Sequence, residues 1–184
     1  MPRFRTKRPI SIDTYSHAQA CAMLTRMAQR GDRGGVELAL SYGANIHVEK
    51  DWAIRWAAGN GHAETVQFLL EKGADPSVDN NEAIWWAVAG GHLEVVKLLL
   101  ASNPDLDKPH RHYNLSNLIG AGFLPTRNSV LSGWEERRFA ALQLLVVEGG
   151  LSFDELDHNQ LAKLHLCKDL LRRAAKRRLS VGKW

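Results

Sequence analysis

Histidine and cysteine are the side chains of this sequence that could bind a metal or act as nucleophiles. His110 and His112 are two residues apart and could share an ion, but structural zinc normally needs four ligands and only these two are visible. Cys21 and Cys167 have no spacing that indicates a metal site or a disulfide framework. The sequence therefore predicts an exposed polar turn around His110, with no metal site and no cofactor.

The sequence also lacks the motifs from which enzymes commonly build a catalytic site. It has no His-Glu-x-x-His, Gly-x-Ser-x-Gly or Cys-x-x-Cys motif, and no glycine-rich phosphate loop after a strand. His62 and His92 each follow a glycine, and we expect them to form hydrogen bonds at a helix start rather than to act as ligands or bases. We therefore predict that the chain is not an enzyme.

The elements that must position these residues are copies of one 30-residue unit. Trp52-Ala-Ile-Arg-Trp-Ala-Ala-Gly-Asn-Gly-His62 aligns with Glu82-Ala-Ile-Trp-Trp-Ala-Val-Ala-Gly-Gly-His92, and the similarity continues to Leu100. Repetition at a fixed period of this size is typical of a solenoid. Each copy predicts two short helices, with Gly61 or Gly91 between them.

Each second helix carries an apolar stripe at helical spacing. The stripe comprises Val66, Leu69 and Leu70 in one copy, and Val96, Leu99 and Leu100 in the next. The pairs Ala57/Ala58 and Ala87/Val88 are small enough for close helix contact, and Gly73 is expected to end its helix in the left-handed conformation. A weaker first copy precedes them, and its Arg33-Gly34-Gly35 predicts a poor start to the second helix.

These residues resemble the ankyrin repeat. The small-residue pair, Gly-His, the Val/Leu run and Gly73-Ala74-Asp75 follow the order of that family. The usual Thr-Pro-Leu-His opening is absent, and the period is 30 rather than about 33 residues. The shortened form resembles a subtype found in large DNA viruses, phages and some bacteria. The resemblance implies an all-α solenoid of helix pairs with short hairpin loops and a C-terminal helical cap.

The predicted domain organisation has three parts: a basic tail at 1–12, repeats at 13–150 and a basic amphipathic cap helix at 151–184. The repeats divide at about 14–45, 46–75 and 76–105, followed by an interrupted fourth repeat at 106–150. An insertion at about 120–134 interrupts that fourth repeat. Ser132-Gly-Trp-Glu135 is a capping box and predicts the start of its second helix.

The resemblance implies that the hairpin tips and first helices form a concave protein-binding face. The residues expected there are Lys50, Asp51, Trp52, Asp79, Asn80, Asn81, His110, Arg111, His112 and Tyr113. Trp56 and Trp86 are expected to pack between repeats, and Arg55 to lie over the Trp85 indole. A second candidate surface comprises Phe123, Arg127, Trp134, Arg172, Arg173, Lys176 and Arg177.

The net charge of +4 is unevenly distributed along the chain. Residues 1–20 contain four basic side chains against one acidic, and residues 161–184 contain eight against one, so the repeats between them are acidic on balance. No apolar run approaches about 18 residues, and we expect no membrane span. The favoured function is a cytoplasmic module that occupies a host protein as a viral or phage-type inhibitor or adaptor. The less favoured alternative is an adaptor that binds nucleic acid through its basic ends.

Overall fold

The computed structural model describes residues 16–102 and 133–149 of the 184-residue chain. In this part of the chain there are seven α-helices and no strand. The helices are α1 (His17–Arg30), α2 (Arg33–Ser41), α3 (Trp52–Gly59), α4 (Ala63–Glu71), α5 (Val78–Gly90), α6 (Leu93–Ala101) and α7 (Gly133–Gly149). The tail and the predicted cap helix lie outside the described residues. The predicted insertion also lies outside them, except for Gly133 and Trp134, which belong to α7.

The helices form two layers. α1, α3 and α5 pack side by side in what we call the first-helix layer, while α2, α4 and α6 form the second-helix layer. α7 packs against both α6 and α5. The core between the layers contains side chains from every described helix, among them Leu24, Val36, Ile54, Leu69, Leu99 and Leu145.

The predicted apolar stripes are largely confirmed. Val66, Leu69, Val96 and Leu99 are buried, and Leu70 and Leu100 are partly buried against the same core. The small pairs at 57/58 and 87/88 are also buried between helices. The 30-residue pattern therefore identified the buried side of α4 and α6.

Glycine ends the first helices as the sequence predicted. Gly31, Gly61 and Gly91 have φ angles of 74°, 79° and 71°, in the left-handed region that glycine adopts without steric cost. Space is restricted as well, because a Cβ on Gly61 would lie 2.4 Å from Nδ1 of His92. The expected poor start of α2 was wrong: the Asp32 side chain accepts a hydrogen bond from the Gly35 N–H at 2.9 Å and caps the helix.

A left-handed turn precedes α3, and an equivalent left-handed turn lies within the first residues of α5. Residues 49–51 all have φ between 50° and 60°, and residues 79–81, which are 30 positions later, have φ between 51° and 63°. Residues other than glycine, asparagine and aspartate rarely adopt this conformation. The second turn consists of Asp79, Asn80 and Asn81, which tolerate it best, so its sequence suits its backbone.

The last residue of each left-handed turn carries a buried polar side chain. Oδ1 of Asp51 accepts hydrogen bonds from Nδ1 of His47 at 3.0 Å and from the backbone N–H of Asp75 at 3.0 Å. Thirty residues earlier, Sγ of Cys21 lies 3.6 Å from Nε2 of His17 and accepts the N–H of Asn45 at 3.3 Å. Cys21, which lies inside α1, therefore makes the same kind of contact as Asp51: each buried acceptor satisfies the N–H of a residue 24 positions later in its own repeat.

A second set of hydrogen bonds joins the repeats at the other end of the first helices. Nε2 of His62 donates to the Gln29 carbonyl and Nε2 of His92 to the Gly59 carbonyl, each at 3.0 Å. Nε of Arg138 donates to the Ala89 carbonyl, which is the next position in the series. Both histidines are hydrogen-bonded as predicted, and their acceptors belong to the preceding repeat.

We expect Leu69→Ala and Leu99→Ala each to lower the free energy of unfolding by about 2–5 kcal/mol, because both side chains are fully buried. Leu38→Ala is the matched control, since Leu38 is 44% exposed, and it should cost less than about 0.5 kcal/mol. Urea denaturation followed by circular dichroism measures all three. Equal losses in the core and control variants would contradict the assigned helix faces.

We expect His92 to make stability fall as the pH decreases below about 6.5, the pKa of histidine in an unfolded chain. Burial lowers the pKa of His92 in the folded protein, and the positive charges of His62 and Arg137 lower it further, against the hydrogen bond to Gly59. The unfolded state then binds more protons than the folded state, so acid favours unfolding. Denaturation at pH 7.5 and pH 5 should show a larger loss for the wild type than for His92→Gln. Parallel losses would contradict this assignment.

Candidate protein-binding surface

Two residues expected at the binding face are buried and bonded to the scaffold. Asp51 is 3% exposed and Asn81 is 2% exposed, and they occupy the last position of the two left-handed turns. The left-handed backbone turns these side chains inward, where Asp51 accepts hydrogen bonds from His47 and Asp75. The expectation that Asp51 and Asn81 contact a partner directly was therefore wrong.

The other tip residues remain accessible, although two of them are paired. Nζ of Lys50 lies 2.9 Å from Oδ1 of Asp79, so these two side chains partly neutralise each other across the repeat junction. Asn80 is exposed, and Trp52 is 36% exposed at the start of α3. The structure thus brings Lys50, Trp52, Asp79 and Asn80 together on one side of the solenoid.

Arg55 links the second and third repeats through a buried ionic cluster. Its guanidinium pairs with Oδ2 of Asp79 at 3.1 Å and with the Glu82 carboxylate, and the side chains of Arg55 and Glu82 are only 9% and 12% exposed. Burial lowers the pKa of Arg55 and the charge of Asp79 opposes that effect. The guanidinium stays protonated all the same, because arginine does not deprotonate in proteins.

Three tryptophans form a continuous row on the first-helix layer. Trp52 and Trp56 meet edge to face with ring centroids 6.2 Å apart, and Trp56 meets Trp86 in the same manner at 5.4 Å. Packing between repeats was predicted for Trp56 and Trp86 and is confirmed. Arg55 lies over Trp52 and Trp86, at 5.9 and 5.6 Å, and not over Trp85 as expected.

A cleft of about 270 Å³ opens beside this row. Its lining comprises Trp56, Gly59, Asn60, Trp86, Ala89, Gly90 and Arg138. Large side chains cannot replace the glycines, since a Cβ on Gly59 would lie 3.0 Å from the Trp86 ring and a Cβ on Gly90 would lie 2.3 Å from Nε2 of His92. This cleft was not predicted from the sequence. The residues that could have indicated it lie three and four positions after each tryptophan: Gly59 and Asn60 after Trp56, and Ala89 and Gly90 after Trp86.

The remaining predicted contact residues lie outside the described part of the chain. These are His110, Arg111, His112, Tyr113, Phe123, Arg127, Arg172, Arg173, Lys176 and Arg177. Trp134 belongs to α7. Across residues 16–102 and 133–149, no three His, Cys, Asp or Glu side chains are grouped so that they could hold a metal ion. No helix in the same ranges is long and apolar enough to cross a membrane.

Helix pairs stacked in two layers define a helical-repeat architecture in the described part of the chain. Residues 24–110 match the family model of ankyrin repeats, in three copies, and this stretch of the chain consists of ankyrin repeats. Ankyrin repeats generally mediate protein–protein interaction. No curated protein matches the chain.

We expect Arg55→Ala to lower the free energy of unfolding by about 3–5 kcal/mol, because it leaves the Glu82 carboxylate buried without its partner. Lys50→Ala is the matched control: Lys50 pairs with the same Asp79, but its side chain is 70% exposed, and the loss should stay below about 1 kcal/mol. Combining Arg55→Met with Glu82→Gln should recover part of the stability. A similar loss in Arg55→Ala and Lys50→Ala would show that the ionic cluster does not couple the repeats.

Proposed function

We propose that this chain is a protein-binding module that holds its partner on the first-helix layer and the adjoining tips. The observation that carries the proposal is the row Trp52–Trp56–Trp86, which places aromatic rings from two repeats side by side next to an open cleft. Tryptophan is enriched among residues that dominate binding energy at interfaces. The tryptophan row of the first-helix layer therefore supports recognition of a segment of another protein.

The short repeats support a more specific role. A stack held together at fixed intervals by hydrogen bonds offers a preformed surface, and a preformed surface binds without the entropic cost of ordering its own residues. We propose that the module acts by occupancy, as an inhibitor or adaptor of a host protein in the cytoplasm of a host cell. The 30-residue period supports this setting through its resemblance to the short repeats of large DNA viruses and phages.

Affinity capture from host-cell extract, followed by mass spectrometry, identifies candidate partners, and a purified candidate then tests the surface. We expect Trp52→Ala to weaken binding at least tenfold, because Trp52 is the exposed end of the aromatic row. Leu38→Ala is the matched control, since within residues 16–102 and 133–149 Leu38 is the other exposed large apolar side chain, and it lies on α2 in the second-helix layer. Isothermal titration calorimetry measures both.

The opposite pattern would contradict the proposed surface. If Leu38→Ala weakens binding and Trp52→Ala does not, the partner contacts the second-helix layer. If both variants bind normally, the contact lies outside the two layers. Circular dichroism of each variant must match the wild type, so that a change in affinity reports on the surface and not on folding.

A further inference from the structure

The two helix layers differ in the sign of their accessible charge. α1 and α3 contain no aspartate or glutamate, and the two acidic residues of α5, Asp79 and Glu82, are ion-paired with Arg55. The helices of the second-helix layer have four exposed glutamates, at positions 37, 64, 71 and 94, against two basic side chains, Arg33 and Lys97, of which Lys97 pairs with Glu94 at 3.6 Å. A negatively charged partner would therefore meet repulsion on the second-helix layer and little on the first-helix layer.

Two arginines of α1 extend the surface formed by the tryptophan row. Arg26 is 30 residues before Trp56, and Arg30 is 30 residues before Asn60, so they occupy the corresponding positions of the first repeat. Both arginines are exposed, and no carboxylate of the described residues forms an ion pair with either of them. Their charge is thus directed toward solvent or toward a ligand.

The cleft supplies the apolar part of the same surface. It lies beside the Trp56 and Trp86 rings and is also lined by Gly59, Ala89 and Gly90, and Arg138 borders it at α7. Its volume of about 270 Å³ accommodates one large apolar side chain. A pocket of this kind fixes the register of a bound segment, while the arginines select its charge.

We propose that the first-helix layer binds an acidic segment of a partner protein, which inserts one apolar or aromatic side chain into the cleft beside Trp56 and Trp86 and directs its carboxylates toward Arg26 and Arg30. This inference rests on the proposed function and names the chemistry of the partner. Single-stranded nucleic acid would also complement arginine and tryptophan, but it needs ring faces on which successive bases stack. The three tryptophans pack edge to face against each other, with interplanar angles of 80° and 73°, and this arrangement favours a peptide.

Selection from a display library of randomised 12-residue peptides against the full chain tests the proposal. We expect enriched peptides to contain more Asp and Glu than Lys and Arg, together with one recurring aromatic or aliphatic residue. Fluorescence anisotropy with a labelled enriched peptide then measures affinity. The double variant Arg26→Glu/Arg30→Glu should bind that peptide at least tenfold more weakly than the wild type does.

Two further variants separate the charge from the cleft. Lys72→Glu/Lys97→Glu makes the same change in net charge on the second-helix layer, where both lysines are exposed, and should alter affinity less than twofold at 150 mM salt. Ala89→Phe places a ring in the cleft and should weaken binding at least tenfold while the helical circular dichroism signal is retained.

The proposal is overturned if the enriched peptides carry no acidic excess, or if the two double variants weaken binding equally. It is also overturned if a labelled dT12 oligonucleotide binds more tightly than the peptides and loses binding in Arg26→Glu/Arg30→Glu. A captured partner whose affinity depends on Trp52 but not on Arg26, Arg30 or Ala89 would refute this inference and leave the proposed function standing. Dependence on Leu38 alone would refute both.

Discussion

The hydrogen bond from each Gly-His imidazole to a backbone carbonyl of the preceding repeat sets how closely the repeats stack. Nε2 of His92 reaches the Gly59 carbonyl at 3.0 Å, and the ring lies where a Cβ on Gly61 or Gly90 would be. The ring therefore leaves no room for a larger residue at either position beside His92, whereas beside His62 the residue equivalent to Gly90 is Asn60 and the bond to Gln29 still forms. Gly90 also lines the cleft beside Trp86, so the histidine contact and the candidate binding surface share this glycine.

A further hydrogen bond lies near the opposite end of the first helix in the first two repeats, so these helices are held near both ends. There the buried Asp51 carboxylate satisfies the N–H of Asp75, and Cys21 does the same for Asn45. Between them, Arg55 ties α3 to α5 through Asp79 and Glu82. Polar groups buried at a repeat junction must be satisfied in one geometry, which limits sliding between repeats and keeps the tryptophan row aligned. The acceptor is replaceable, since sulfur and carboxylate occupy equivalent positions.

The sequence predicted the features that depend on short-range periodicity. Leu69 and Leu99 are identifiable from their helical spacing, and Gly61 and Gly91 from their position between two helical patterns. The burial of Asp51 was not predictable in this way, because it depends on an N–H group that arrives from 24 residues further along the chain. The contact of Arg55 with Trp86 rather than Trp85 depends on which side of α5 faces α3, and adjacent residues of a helix point about 100° apart. The cleft was missed for a similar reason, since it is formed by small residues of two different repeats.

Hydrogen–deuterium exchange of the complex with a captured partner tests most directly whether the first-helix layer is the binding surface. Backbone amides buried beneath a partner exchange more slowly, and peptides from each helix report separately. The structure predicts that the partner slows exchange in α3, α5 and the left-handed turns before them, and leaves α4 and α6 unchanged. Protection confined to α4 and α6, or found only in residues 103–132 and 150–184, would contradict it.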